Sequence, residues 1–347
     1  MLTPRRAAGL LAAAALASAV QAAPRYPYKV TVLVPFTPGQ GSGVANMIND
    51  RGLICGFLST NAGYCYSHGK LTQLIPLPGD TWAIPSGLND RGQVVGYSYS
   101  LDGPRHAVIF VNGAAQPLAV SSHAYSVAND INNVGQIVGG LSDVQDESLA
   151  YLLTRGTVRL LGTLGGPRRI DFANSINDRG QIVGAVSQPN TPPEPGYQVA
   201  FLYENGVMHA LPTPAGHTSL ATKINLRGQI VGVTQVYNGG IEGTRAVLWH
   251  KGTMKVLLDR VADARDINIE GQVVGGYLTG PGGYLYQPGK GARDLNDLID
   301  PASGFTIGYP QAINDRQEIV GYGCNENLCG PILLKPVRDG HGADDSD

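Results

Sequence analysis

One phrase recurs along the chain, and its spacing limits the folds open to it. Ile48-Asn49-Asp50-Arg51-Gly52-Leu53-Ile54-Cys55-Gly56 is followed by Leu88-Asn89-Asp90-Arg91-Gly92-Gln93-Val94-Val95-Gly96, and the phrase returns around Asn132, Asn177, Asn225, Asn268 and Asn314. Successive asparagines lie 40, 43, 45, 48, 43 and 46 residues apart. A mean period of about 44 residues falls in the range of four-stranded propeller blades.

The constant positions read as a hairpin. An Ile or Leu precedes each asparagine, and two apolar residues and a glycine close the phrase, ending at Gly56, Gly96, Gly139, Gly184, Gly232, Gly275 and Gly321. Asn at the first turn position accepts a backbone N–H, and Gly takes the left-handed conformation of a G1 bulge. Six copies keep that turn glycine and the seventh has Gln317; the Asp is replaced by Asn133, Leu226 and Ile269. A turn tolerates such drift, whereas a calcium loop depends on its carboxylates, so no metal site is expected here. A second hairpin follows in each copy, as in Val108-Ile109-Phe110-Val111-Asn112-Gly113 and Ala200-Phe201-Leu202-Tyr203-Glu204-Asn205-Gly206. Each repeat therefore supplies four strands, a to d.

The ends of the array point to closure. After the last asparagine come strands a, b and c, the last at Pro331-Ile332-Leu333-Leu334-Lys335, with no d strand behind them. A strand of the missing type stands at the other end, Tyr28 to Phe36, and its close at Leu33-Val34-Pro35-Phe36-Thr37-Pro38-Gly39 echoes Leu74-Ile75-Pro76-Leu77-Pro78-Gly79. A last sheet completed by both termini closes the ring and removes open edges. The expected fold is all-β: a seven-bladed β-propeller with four-stranded antiparallel blades, the last completed by the N-terminal strand. Four cysteines allow three pairings. Cys55 and Cys65 flank the b–c link of the first repeat and Cys324 and Cys329 that of the seventh, so local pairing needs only hairpin geometry.

Arg5, Arg6, the apolar stretch Ala7 to Val20 and Val20-Gln21-Ala22 read as a secretory signal, residues 1–22, cleaved after Ala22. Residues 23–337 then form the repeat domain and residues 338–347 a disordered acidic tail. The expected location is periplasmic or secreted, where disulfides persist. Without the signal, 23 basic residues face 27 acidic ones, no footprint for nucleic acid or for membrane insertion. A monomer is expected.

Together, His106-Ala107-Val108, Val199-Ala200-Phe201, Leu160-Leu161-Gly162-Thr163-Leu164-Gly165-Gly166 and the Ile176 to Gly184 phrase resemble the HAF-type extracellular repeat family. The resemblance covers nearly all of the mature chain. It implies exported β-propeller-like repeats and assigns no activity.

Function is expected on the face formed by the b–c and d–a links, because these vary in length and composition over a rigid scaffold. Candidate ligand contacts there are Trp82, Arg168, Asp171, His123 and His217, with Trp82 suited to stacking on a sugar or peptide. A second set lies three positions before the asparagines and includes Asn46, Asn129, Asn174 and Arg265; these either ring a channel mouth for a ligand or bond backbone between blades. No nucleophile elbow, His-Glu-x-x-His or phosphate-binding glycine loop occurs, so no catalytic residue, cofactor or metal is assigned. The sequence thus reads as an exported binding or adhesion scaffold for a surface glycan or protein. The alternative is a propeller-type hydrolase or lyase acting on an exported polymer or lactone.

Overall fold

The structure is a computed structural model that describes residues 26–39, 42–59, 62–142, 148–165, 171–187, 198–236 and 240–337. The expected signal segment, the tail from residue 338, Arg168 and the 188–197 part of the loop before the fourth repeat's strand c lie outside them.

Each of the first six repeats folds as two successive hairpins. In the third, strands a to d run Tyr125–Ile131, Ile137–Ser142, Leu149–Thr154 and Thr157–Leu160, paired antiparallel in chain order. Among the described residues, four separate four-stranded sheets form in this way. The first two repeats join into one eight-stranded sheet through the parallel pair Ala62 with Ala83, and Ile75 also bridges Ala114 in parallel. The N-terminal strand Tyr28–Val32 pairs antiparallel with Cys329–Pro336 and completes the last sheet, as the unequal ends of the array required.

The a–b turn has the expected chemistry. Asn49 Oδ1 accepts from the amides of Arg51 (3.1 Å) and Leu53 (2.9 Å), and Gly52 sits at φ +79°. Where the seventh repeat replaces the glycine, Gln317 is held at φ +65°. Strand a also carries a bulge before the turn, with the register slipping between Ala128 and Asp130, Ala173 and Ser175, and Ala221 and Lys223. The bulge accounts for the glycine that ends each phrase. A Cβ on Gly96, Gly139 or Gly184 would overlap the carbonyl oxygen of Ile84, Val127 or Phe172 on the neighbouring bulged strand.

Apolar layers sit between neighbouring sheets. One layer joins Val183, Ala200 and Leu211 of the fourth repeat to Ala221, Ile224, Ile230, Val247 and Trp249 of the fifth. Trp249 is fully buried, and its indole N–H reaches the Pro212 carbonyl at 2.7 Å, so the polar atom is satisfied across the joint. Each repeat thus depends on the next to cover its face. The disulfides Cys55–Cys65 and Cys324–Cys329 bridge directly opposed residues of strands b and c, and two such bonds suit a compartment outside the reducing cytoplasm.

Candidate functional site

The seven a strands surround a cavity of about 930 Å³ that is lined from every repeat. Its wall can be taken level by level along strand a.

The bulge residues come first. Ser86, Asn129, Asn174, Thr222 and Arg265 donate to the carbonyls of Ala128 (2.7 Å), Ala173 (2.9 Å), Ala221 (2.9 Å), Ala264 (2.7 Å) and Pro310 (3.1 Å), always in the following repeat. These bonds link neighbouring sheets. Arg265 is further held by Asp263 through two bonds of 2.9 and 3.1 Å. Asn46 is exposed to the cavity.

One residue further on, the wall is divided. Asp130, Lys223 and Asp266 line one side and Met47 and Ala312 the other, while the equivalent Ser175 is fully buried beside Asp130. Asp130 accepts from the amides of Ile131 (3.0 Å) and Ile176 (3.1 Å), from Ser175 Oγ (2.8 Å) and from Lys223 Nζ (3.0 Å). Burial alone would lower the Lys223 pKa, but the carboxylates of Asp130 and Asp266 outweigh it and hold the ammonium above its usual value. Burial pushes Asp266 up to about 6, although Lys223 and the amides of Ile313 and Ile267 act against the shift.

The turn asparagines form the next level, and they close a circle. Nδ2 of Asn49, Asn89, Asn132, Asn177, Asn225 and Asn268 each donates to the carbonyl of the next asparagine at 2.9 to 3.2 Å, and Asn314 returns to the Asn49 carbonyl at 3.1 Å. In most copies the second Nδ2 proton goes to a glutamine four residues on, as in Asn177 to Gln181 Oε1 at 2.8 Å, while Oδ1 accepts two backbone amides. All four hydrogen-bonding positions of the amide are then used, which is why aspartate could not serve. Asp50, Asp90, Asn133, Asp178 and Asp315 form a further arc. Each of these except Asp178 donates its amide to the next member's Oδ1 at 2.7 to 2.9 Å. Burial, and after it the charges of Asp315 and Asp90, raise the Asp50 pKa.

A row of partly exposed aromatic rings lies at the other end of strands a and b. Trp82 stacks with Phe57 of the first repeat and with Tyr99, both at 5.7 Å between centroids, and Tyr99 lies 5.8 Å from Tyr97. The exposed Arg105 guanidinium sits 5.2 Å over Tyr97, 5.6 Å over Tyr99 and 5.6 Å over Tyr125 of the third repeat. Tyr97 also lines the cavity, so the row meets the axis there. Burial raises the Tyr97 pKa against the pull of Arg105.

The other expected contacts do not gather into one site. Asp171 is fully buried, with Oδ1 accepting from the Ser187 amide at 3.0 Å, so its carboxylate does not face the loop surface as expected. His123 and His217 are half-buried at the d–a ends of the third and fifth repeats, and neither lines the axial cavity. The sequence reading missed Lys223, Asp130 and Asp266, whose only signal was charge one position beyond the polar bulge residue. It also missed Arg105 and the tyrosines around it.

No protein-family model matches the chain, and no curated protein matches it, so the likeness to HAF-type repeats gains no support from that side. Solved structures do match. Virginiamycin B lyase from Staphylococcus aureus is similar at 13% identity over 89% of this chain and 100% of that one, with TM-score 0.57. The β-propeller domain of the Trilobed protease from Pyrococcus furiosus is similar at 9% identity over 88% of this chain and 97% of that one, with TM-score 0.55. YCF48, solved bound to D1 peptide, is similar at 11% identity over 91% of this chain and 97% of that one, with TM-score 0.50. At such identities the likeness carries the fold and not the chemistry: the chain has a β-propeller fold shared by lyases and binding proteins alike.

Proposed function

We propose that this chain is a seven-bladed β-propeller, exported to an oxidising compartment, that binds a glycan along the aromatic row on the b–c and d–a face. The observation that carries the reading is the continuity of Phe57, Trp82, Tyr99, Tyr97 and Tyr125 across three repeats, with Arg105 lying over the three tyrosines. Partly exposed aromatic faces take the apolar faces of sugar rings, and a neighbouring guanidinium supplies polar contacts. The row ends at the cavity mouth, where Asn46 offers a further amide.

Calorimetry with a panel of neutral and acidic oligosaccharides tests this. Trp82→Ala is expected to weaken the best binder by about tenfold, the loss of one stacking contact. A full panel without saturable binding, or a Trp82→Ala protein that binds as tightly as the parent, would sink the proposal.

A second reading is a hydrolase or lyase, and Asp266 favours it specifically. A carboxyl with a pKa of about 6 inside a cavity has the protonation range of a general acid or base. Turnover of a polysaccharide or lactone that is lost in Asp266→Asn, while oligosaccharide binding is kept, would replace the binding reading with this one.

A further inference from the structure

On the a–b turn face, a groove of about 390 Å³ opens between the third and fourth repeats, lined by Val134, Gln136, Thr154, Arg155, Asp178 and Arg179 among others. Its polar groups are unevenly matched. Asp178 is committed, since Oδ1 accepts from the Asn133 amide (2.7 Å) and Oδ2 from Asn133 Nδ2 (3.1 Å). The donors are not. Thr154 Oγ1 is buried without a hydrogen-bond partner, and the Arg155 and Arg179 guanidinia have no ion-pair partner among the described residues. Gln136 spends its oxygen on Asn132 Nδ2 at 2.8 Å, which leaves its Nε2 facing the groove side without an acceptor among the described residues. Arg155 and Arg179 are exposed, so water solvates their guanidinia and an anion entering between them gains two charge-assisted donors.

The next groove along shows what is missing. Between the fourth and fifth repeats, Gln181 likewise gives its oxygen to Asn177 at 2.8 Å, but its Nε2 donates to Glu204 Oε2 at 2.8 Å. Glu204 and Thr154 are equivalent positions, each following the strand c residue (Tyr203, Leu153) that pairs with the first residue of strand b. The scaffolds match as well: Gly180 lies against Gln136 Oε1 as Gly228 lies against Gln181 Oε1, each at 3.7 Å from an ideal Cβ. At the seam, Glu318 is the built-in carboxylate, taking Arg316 at 2.7 Å with Lys335 at 4.0 Å. The third-to-fourth groove keeps the glutamine, carries Arg155 where the next groove has Asn205, and lacks the carboxylate.

We propose that this groove is an oxyanion site, in which a phosphate, sulfate or carboxylate group takes the place that the Glu204 carboxylate holds one repeat later. Arg155 and Arg179 supply charge-assisted bonds, and Gln136 Nε2 adds a further donor. The site is on the face opposite the aromatic row and does not depend on the glycan reading.

Calorimetric titration of the full mature protein with inorganic phosphate, and separately with sulfate, is expected to show one saturable site in the range of about 1 mM. Arg155→Asn and Arg179→Val are each expected to weaken binding by about tenfold. Thr154→Glu is expected to abolish it by filling the groove from within. All three substitutions copy residues found at the equivalent positions of other repeats (Asn205, Val134 and Glu204), so unchanged circular dichroism and melting should accompany the loss. A sulfated oligosaccharide that binds over tenfold tighter than sulfate, and is also lost in Thr154→Glu, would identify the anion as one carried on a polymer; equal affinities would identify the free ion. Absence of saturable binding below about 50 mM, or binding undiminished in Thr154→Glu, overturns the proposal.

Discussion

The circle of turn asparagines makes a quantitative prediction for Asn177→Asp, a change of one atom type with almost no change of shape. Asn177 is 6% exposed and donates to the Asn225 carbonyl at 3.0 Å and to Gln181 Oε1 at 2.8 Å. The carboxylate brings an acceptor to face both acceptors. Gln181 cannot turn over to help, because its Nε2 holds Glu204. Two buried acceptors left without donors cost about 1–3 kcal/mol each, so about 4 kcal/mol is expected at pH 7. At roughly 2 °C per kcal/mol for a domain of this size, melting should fall by about 8 °C. The sign of the pH dependence is fixed. The new carboxyl has a folded pKa above its unfolded value of about 3.9, so the stability of its neutral form is present below that value and lost as pH rises through the folded pKa. The gap to the parent protein should therefore narrow from pH 7 to pH 4, since a protonated carboxyl regains one donor. Asn49→Asp should cost about half as much, because Leu53 stands where the glutamine would be and only the bond to the Asn89 carbonyl is lost. Thermal melts of the two variants across this pH range are the assay. A loss under about 0.5 kcal/mol for Asn177→Asp, or a gap that does not change with pH, would refute the assignment of these asparagines as fully satisfied links.

Three further outcomes are expected. The folded pKa of Asp266, about 6, exceeds its unfolded value, so the parent should lose stability as pH rises from 4 to 7. Its half-buried position limits the loss to about 1–2 kcal/mol, and Asp266→Asn should flatten that part of the pH-stability curve in denaturant titrations. Reduction of both disulfides should remove about 2–3 kcal/mol for each loop closed, read as a lower melting midpoint in dithiothreitol and absent in a four-serine control. Deleting residues 23–34 strips the partner of Cys329–Pro336 and exposes an unpaired strand edge, so size-exclusion chromatography should show oligomers or aggregates.

Much of this molecule could be read along the chain because the repeat is local chemistry. The Asn-x-x-Gly turn, the two hairpins, the spare strand at Tyr28 and the local pairing of Cys55 with Cys65 all involve residues close in sequence or matched by counting. The face of variable links could also be inferred, and Trp82 was found on it. Partnership was harder to read. Asn129 and Asn174 were visible as a polar series, but their acceptors are Ala173 and Ala221, each one whole repeat away. Lys223 and Asp130 are 93 residues apart, and no spacing rule joins them. The buried state of Asp171 was equally hidden, because a loop position does not say which way a carboxylate turns.

By itself, then, the sequence determined the period, the strand order within each repeat and the mutual completion of the two ends, since each follows from turn chemistry and alternation over a few residues. Only the tertiary structure decided which polar groups are spent and which are spare. That is settled by contacts between neighbouring repeats, where one carboxylate, Glu204, satisfies a glutamine that the preceding repeat leaves open at Gln136. The two positions look alike in the chain and differ in hydrogen bonding, and only packing shows whether an acceptor arrives.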